Sequence, residues 1–436
     1  MGTFQNTSLE DIAKASVITE LETPVQQREV LPSFHTTRSA PETWSVAFAP
    51  DQSYFAWSCG NRIVKLIPWD KEKQNIYNDR DNDQNNNTDD PTVNNATTRR
   101  NIITIPCKDL VRSLTFGTSV PDKKSQRCSV SYRLFGFPEV LDNAVILAIG
   151  LKNGKIKTYN VKSGEHVLLV DHKSVVRDIK FNPDGSLFLV SASHDSTLKV
   201  WDMKDDGNMV VTLKGHPKAV YGCAISPDSS MLASVGEQRS VIVWDFTRYK
   251  LLRKLQGHHN MVTSCEFSAD GAVLATASYD TRVILWDPYT GHLLSQFSHV
   301  FPVLSPMFAG GSNGHYVRDI SFSPTGLHFA TVCDDSVLRV WSISNNMKPI
   351  LVSSVHEPLS CAFNHDGTVL AAGTRSGSVQ FVAVHQELQT LKHLCRMTLR
   401  RCYPNWNELE APNIPIVLDR YIGYRDVPID VFSEDH

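Results

Sequence analysis

No run of apolar residues in this chain is long enough to cross a bilayer: the longest, such as "AVILAIGL", falls far short of the roughly 20 residues a membrane helix needs. Neither charge is in excess. With 43 Lys and Arg against 46 Asp and Glu, the formal net charge is −3 in 436 residues, which gives no global reason to expect nucleic acid or an anionic membrane as partner. The nine cysteines contain no Cys-x-x-Cys pair, so neither a zinc cluster nor a redox dithiol is suggested. Several lie in apolar strand-like runs ("GCAIS", "SCEFS", "SCAFN") and read as buried free thiols of a reducing compartment. The opening stretch, "MGTFQNTSLEDIAKAS", lacks the basic start and apolar core of a secretion signal, so the expected location is the cytoplasm, alone or shared with the nucleus. The sequons at Asn6, Asn86 and Asn95 are then chance products of Asn-rich stretches. A nucleophile elbow, a phosphate-binding glycine loop, an HExxH pair and a paired-carboxylate setting are also missing, so no catalytic residue, metal ligand or cofactor is expected.

What the chain does have is a repeat. "RDIKFNPDGSLFLVSASHDSTLKVWD" at 177–202 aligns with "RDISFSPTGLHFATVCDDSVLRVWS" at 318–342, and two further copies lie between them. The closing tryptophans Trp201, Trp244, Trp286 and Trp341 lie 42 or 43 residues apart and then 55. Three weaker copies, one near the start, one ending at Tyr159–Asn160 and one ending at Phe381, bring the number to seven. Each unit reads as an alternating strand, a Pro-Asp-Gly-type turn, a small-residue strand, a polar turn, and a β-branched strand ending in an aromatic. A variable fourth strand such as "KLLRKLQ" follows. Period-2 alternation with such turns means antiparallel strands. Four strands per unit of about 40 to 45 residues, closed by Trp-Asp, resemble the WD40 β-propeller. The fold class expected is therefore all-β, a seven-bladed propeller.

That resemblance implies a buried His/Asp/Trp set in each regular unit: His172, Asp195 and Trp201 in one, His258, Asp280 and Trp286 in another, with Trp341 closing a further unit. Because the sets recur with the repeat, they are scaffold rather than catalytic groups. One unit has Gln238 at the Asp position. In the first unit Asn61 stands there and Ile67 falls at the tryptophan position, so the first and seventh units should be the least regular.

Three insertions interrupt the series. Residues 71–100 are nearly free of apolar side chains and rich in Asn and Asp, and are expected to be disordered. A second insertion, about 118–140, falls on the same side of a propeller as the first. The third, 298–316, joins a fourth strand to the next first strand, hence the opposite face. It carries Phe301, Met307 and Phe308, which either contact a partner or plug the channel. The second-turn residues His194, Arg239 and Tyr279 share that face, and together these six are the candidate target-binding residues.

After the seventh unit the strand pattern stops. In "LKHLCRMTLRRC" (391–402), apolar or near-apolar residues recur at helical spacing while Lys392, Arg396, Arg400 and Arg401 are basic, and Thr390 is placed to cap the helix. A second short helix is expected from Ile414, Leu418, Tyr421 and Ile422, with Pro415 in its first turn. The pattern Thr390-Leu391-x-x-Leu394-Cys395-Arg396-x-x-Leu399-Arg400 resembles the elongin-binding box that opens a SOCS box. Propeller and SOCS box in this order resemble the WD repeat and SOCS box-containing proteins. The resemblance implies that Leu391 and Cys395 enter a pocket of elongin C, with Leu394, Arg396 and Leu399 supporting that face. It also implies that Pro415, Leu418, Tyr421 and Ile422 meet a cullin-5-type scaffold carrying a RING protein. Asn413 stands where the family has a proline in the cullin box.

The expected division is an unassigned segment 1–40, the propeller 41–387, and a SOCS box 388–436, with an elongin-binding box at about 390–401 and a cullin box at about 412–425. The function implied is substrate recognition for a ubiquitin ligase. The propeller holds an unidentified protein target and the tail recruits the elongin B/C heterodimer and a cullin, with no nucleic acid, no membrane insertion and no chemistry in this chain. The competing expectation is a scaffold propeller without ligase function, its tail packed on its own blades.

Overall fold

The computed structural model of the chain describes residues 27–30, 42–60, 62–69, 102–119, 144–299, 316–343, 348–384, 390–403 and 415–424. The insertions at 71–100, most of 118–140 and most of 298–316, together with Asn61 and Asn413, lie outside the described residues.

Each repeat folds as a four-stranded antiparallel sheet, and seven such sheets form a ring in which every first strand touches the first strands of both neighbours. Blade 3 shows the logic: its strands are Val176–Phe181, Phe188–Ser193, Thr197–Asp202 and Asn208–Lys214. The turn after the first strand places Gly185 at φ 77°, a backbone setting that glycine takes without strain. The second and third strands are covered on both faces by adjacent blades. Small and β-branched side chains therefore fill them, and Val190, Ala192, Leu198 and Val200 are fully buried. The turns after first and third strands share one face, called lower here. The turns after second strands and the segments entering first strands share the upper face.

The ring closes with a strand drawn from the stretch that carried no expectation. Gln27–Val30 pairs antiparallel with Val379–Ala383, Gln27 opposite Val382 and Val30 opposite Val379, and so forms the outer strand of blade 7. A propeller has no edge inside its ring, and sharing the last blade between the two ends of the chain holds that ring shut. Within the same blade Val382 pairs with Leu370, as Trp201 pairs with Leu189. The tryptophan position is thus Val382, one residue beyond the Phe381 that ended the weak repeat. Ile67 opposite Phe55 occupies it in blade 1, where the register expected from the repeat holds.

The His, Asp and Trp of a regular blade are joined through a fourth group that the repeat pattern hides. In blade 3 His172 Nδ1 lies 2.7 Å from Asp195, its Nε2 lies 2.7 Å from the Ser191 hydroxyl, and the Trp201 indole N–H donates to the same hydroxyl at 2.9 Å. Blade 5 repeats this with His258, Asp280, Thr276 and Trp286 at 2.8, 2.7 and 2.9 Å. A neutral imidazole with its proton on Nδ1 satisfies the chain: it donates to Asp, accepts from Ser or Thr, and that hydroxyl accepts from Trp. Burial pushes the Asp195 and Asp280 carboxyls up, but hydrogen bonds, first of all from the histidines, hold both below the ordinary value.

Blade 4 breaks the chain. His216 reaches Ser234 at 2.7 Å and Trp244 donates to Ser234 at 2.8 Å, but Gln238 bonds Ser240 instead, leaving the buried His216 Nδ1 without a partner. Burial pushes the His216 imidazole down to about 4, so it is neutral at pH 7, and its partnerless Nδ1, donor or acceptor according to tautomer, costs stability. The Gln238→Asp variant is expected to gain about 1 kcal/mol and raise the thermal midpoint by a few degrees, measured by calorimetry. An unchanged or lower midpoint would mean that the orphan nitrogen costs nothing.

Side chains on the first strands also fasten adjacent blades around the axis. Asp178 accepts from the Cys223 amide at 2.9 Å, Asp319 from the Cys361 amide at 3.0 Å, Glu266 from the Phe322 amide at 2.8 Å, and Ser45 from the Leu114 amide at 3.0 Å. Lys180 stands among the three carboxylates; burial would lower its pKa, but Asp178, Glu266 and Asp319 raise it. These groups are half-buried and line the axis of the ring. Near its lower end a cavity of about 170 Å³ is lined in part by Lys180 and Glu266.

Burial pushes the Glu266 carboxyl up to about 7, against an ordinary value of 4.5. A carboxyl raised on folding binds a proton in the native state that the unfolded chain releases. Its contribution therefore grows as pH falls from above 7 toward 4.5 and is lost as pH rises through 7. Relative to Glu266→Gln, the wild-type chain should lose up to about 2 kcal/mol between pH 5 and pH 8, the partial exposure of Glu266 keeping the value below the full electrostatic limit. Urea unfolding at those two pH values measures the difference. Parallel pH profiles for the two proteins would show that Glu266 stays ionised throughout.

Candidate functional site

The tail folds as two helices, α1 (Leu391–Cys402) and α2 (Ile416–Ile422). Thr390 caps α1 as its spacing suggests, its hydroxyl accepting from the His393 amide at 3.2 Å. The helix is then oriented opposite to an ordinary amphipathic surface helix. His393, Arg396, Met397 and Arg400 are buried, whereas Leu391 is 77% exposed, Leu394 is 45% exposed and Cys395 is open to solvent, with Leu399 half-buried. Leu391 is the most exposed of the large apolar side chains described.

Specific partners on the lower face hold the basic side in. The His393 ring bonds the Thr325 carbonyl at 2.9 Å, and Met397 lies over Gly326 in the same turn of blade 6. Gly326 has φ +72°, which strains other residues, and a Cβ there would come within 2.9 Å of the Met397 sulfur and push that side chain aside. The Arg396 guanidinium stacks 3.4 Å from the Tyr421 centroid and 4.1 Å from that of Tyr424, and Lys392 caps Tyr421 at 3.7 Å. Tyr424, 1% exposed, donates its hydroxyl to Asp270 of blade 5 at 2.8 Å. Arg400 faces Tyr289 of the same blade at 5.7 Å. The tail is thus fixed to the lower edge of blades 5 and 6 by arginine-aromatic and hydrogen-bonded contacts, with its apolar stripe turned to solvent.

Of the residues named for a cullin, Pro415 and Leu418 are exposed, Tyr421 is half-buried beneath Lys392 and Arg396, and Ile422 is 1% exposed. Arg396, named with the elongin-binding set, faces Tyr421 and Tyr424 and is 7% exposed.

On the upper face His194 meets Tyr221 edge-to-face at 5.1 Å, and Tyr279 stacks on Tyr316 at 4.6 Å. Arg318 pairs with Asp334 through two bonds of 2.6 and 2.7 Å and also donates to the Tyr279 hydroxyl. Arg239 is exposed but out of step with these two. Gly236 pairs with Val220 as Ser193 pairs with Val176, so Glu237 is the counterpart of His194. Phe301, Met307 and Phe308 lie outside the described residues. Sequence reasoning passed over Arg318, Tyr221 and Tyr316, because the first residues of an alternating strand read as part of the scaffold. Among the described residues no cluster of His, Cys, Asp and Glu could hold a metal, and no helix is long and apolar enough to cross a membrane.

The WD domain, G-beta repeat model matches residues 165–202, 207–245, 249–287 and 308–342, which fall in blades 2 to 6. Relatives are similar over far more of the chain. WD repeat and SOCS box-containing protein 1 of Homo sapiens is 50% identical over 390 residues, 88% of this chain and 91% of its own length. The Xenopus tropicalis protein of that name is 48% identical and the Danio rerio one 47%, each across 95% of this chain and 97% of its own length. Matches that cover 95% of this chain take in the propeller and reach the tail, and the chain belongs to the family of WD repeat and SOCS box-containing proteins.

Proposed function

We propose that the chain is a non-catalytic substrate receptor of a cullin-RING ubiquitin ligase, its propeller holding a protein target and its tail binding the elongin B/C heterodimer and a cullin-5-type scaffold. The observation that carries this reading is the reversed helix α1. Exposed apolar side chains are costly to hydrate, and Leu391, Leu394 and Cys395 form one stripe at the spacing that helix-in-groove recognition uses. A helix whose only role was to cover the propeller would turn that stripe inward and leave its arginines in water. The scaffold reading accounts for the docked basic face and leaves the exposed stripe unexplained.

The role assigned to the chain is proximity. A target on the propeller and a ubiquitin-loaded conjugating enzyme on the cullin would share one assembly, raising the effective concentration of a target lysine without any bond made by this chain. The deciding experiment is co-purification of the full chain with elongin B/C and a cullin-RING module, followed by ubiquitin transfer to captured targets. Absence of elongin B/C from the intact protein overturns the proposal.

A further inference from the structure

In six blades the first strand carries a bulge at its upper end. The ladder skips one residue between Val111 and Ser113, Val176 and Asp178, Val220 and Gly222, Val262 and Ser264, Val317 and Asp319, and Pro358 and Ser360. A bulge turns the extra side chain out of the alternation of its strand. The residues so placed are Arg112, Arg177, Tyr221, Thr263, Arg318 and Leu359. Trp44 is their counterpart in blade 1, because the next residue, Ser45, accepts an amide from blade 2 as Asp178 and Asp319 accept from their following blades. The repeat therefore places three guanidiniums and aromatic rings in one ring of positions at the upper end of the channel.

These positions touch one another across blades. Arg112 lies 4.1 Å and Arg177 5.8 Å from the Trp44 centroid, and Arg177 lies 5.1 Å from that of Tyr221. The charges are unevenly matched. Arg318 is neutralised by two bonds to Asp334, and Arg112 has Glu42 and Asp109 nearby, although its buried Nε bonds to nothing. Arg177 has no ion pair among the described residues. Burial and the like charges of Arg112 and Arg318 disfavour its charged form, and only the tyrosines Tyr221 and Tyr279 favour it. A half-buried guanidinium between aromatic rings, facing its own kind, is a socket for an anion.

We infer that the upper mouth of the propeller, centred on Arg177 and walled by Trp44, Arg112 and Tyr221, binds a protein segment through an anionic side chain, a carboxylate or a phosphate. Glu42, Asp334 and Glu237 offset Arg112, Arg318 and Lys218 around the mouth and leave too little net positive charge for a nucleic-acid backbone, so the fitting ligand carries one or two anionic groups among uncharged residues. The rings supply the flat faces on which the flanking residues lie. The inference rests on the receptor reading for its biological meaning and supplies the substrate class. The mouth and α1 lie on opposite faces, so both can be occupied together.

The test is a selection of random ten-residue peptides displayed against the purified full chain, with elongin B/C binding scored separately on the same preparation. Enriched peptides are expected to share Asp or Glu, and a synthetic representative should lose about tenfold or more in affinity when its acid becomes Gln. A similar loss is expected in Arg177→Glu and a smaller one in Arg177→Lys, and raising the salt should weaken binding. A phosphoserine version distinguishes the two anions: tighter binding assigns phosphate, equal or weaker binding carboxylate. Peptides without acidic preference, no enriched peptide, or an acidic peptide indifferent to Arg177→Glu overturns the inference. The Glu-to-Gln change in the peptide keeps the test decisive if that variant fails to fold. Charge-independent selection with elongin B/C bound would reject the acidic ligand and spare the receptor reading, and the converse result would do the reverse.

Discussion

The double substitution Leu391→Ala, Cys395→Ala is expected to weaken elongin B/C binding by about two to three orders of magnitude while the thermal midpoint of the chain stays within about one degree of the parent. The separation of the two effects follows from exposure. Both side chains are open to water in the free chain, so truncating them removes almost no native packing, and alanine is the residue most compatible with a helix. In a complex the same two positions would be central anchors, where loss of a desolvated apolar contact costs about 2 kcal/mol or more each. Titration calorimetry with purified elongin B/C, alongside thermal unfolding of each variant, reads both quantities. Undiminished binding would mean that the exposed stripe is not the contact surface. A large fall in midpoint would mean that α1 is held through a face other than the one observed. Arg400→Ala supplies the contrast: it touches the buried side facing Tyr289 and should lower stability first.

How far each feature could be read from sequence depended on whether its physical cause was local. The blades were legible because alternation and turn chemistry are set within a few residues, as in "NPDGSLFLVS" at 182–191. The His and Asp positions recur with the blade, but Ser191 and Thr276, which join His to Trp, look like filler in a small-residue strand and gain their role only when the next strand folds over them. Gln27–Val30 was not legible as a strand of the propeller: "QREV" has no alternation of its own, and its partner lies at the opposite end of the chain. The bulged residues were hidden for a related reason. One extra residue puts Arg112, Arg177 and Arg318 out of phase with the period that identifies their strands.

Helix α1 shows the difference between finding a stripe and knowing which way it turns. The pattern of Leu391, Leu394, Cys395 and Leu399 is plain in the sequence, and the usual expectation is that apolar faces go inward. Direction is decided by Tyr289, Tyr421 and Tyr424, which give the buried arginines a place, and by the Thr325 carbonyl, which meets the buried histidine. None of these partners is adjacent to α1 in the sequence.

Tyr424→Ala should release that helix. Tyr424 is 1% exposed, belongs to the apolar cluster containing Ala272, Phe322 and Ile343, and holds a left-handed backbone at φ 56° that a non-glycine residue tolerates only when its surroundings enforce it. Removing a buried aromatic side chain costs about 3–5 kcal/mol, and here the loss also strips one face from the Arg396 guanidinium and the donated proton from Asp270. A docked unit of two short helices has no more than a few kcal/mol to lose, so the substitution should undock the tail rather than merely loosen it. Amides of α1 are then expected to exchange about a hundredfold faster or more, while amides in the first strands of blades 3 to 5 keep their protection and the propeller melts within a few degrees of the parent. Tyr424→Phe, which keeps the ring and removes only the hydrogen bond to Asp270, should show a partial effect of about 1–2 kcal/mol. Function should divide the same way. On the receptor reading, Leu391 and Cys395 remain accessible, so elongin B/C would still bind, but a tail that swings free would no longer fix the distance between a target on the upper face and the assembly on α1, and ubiquitin transfer to that target would slow. Unchanged exchange in α1 would show that the tail is held without Tyr424, and unchanged transfer with the tail undocked would show that its rigid attachment plays no part in bringing the target within reach.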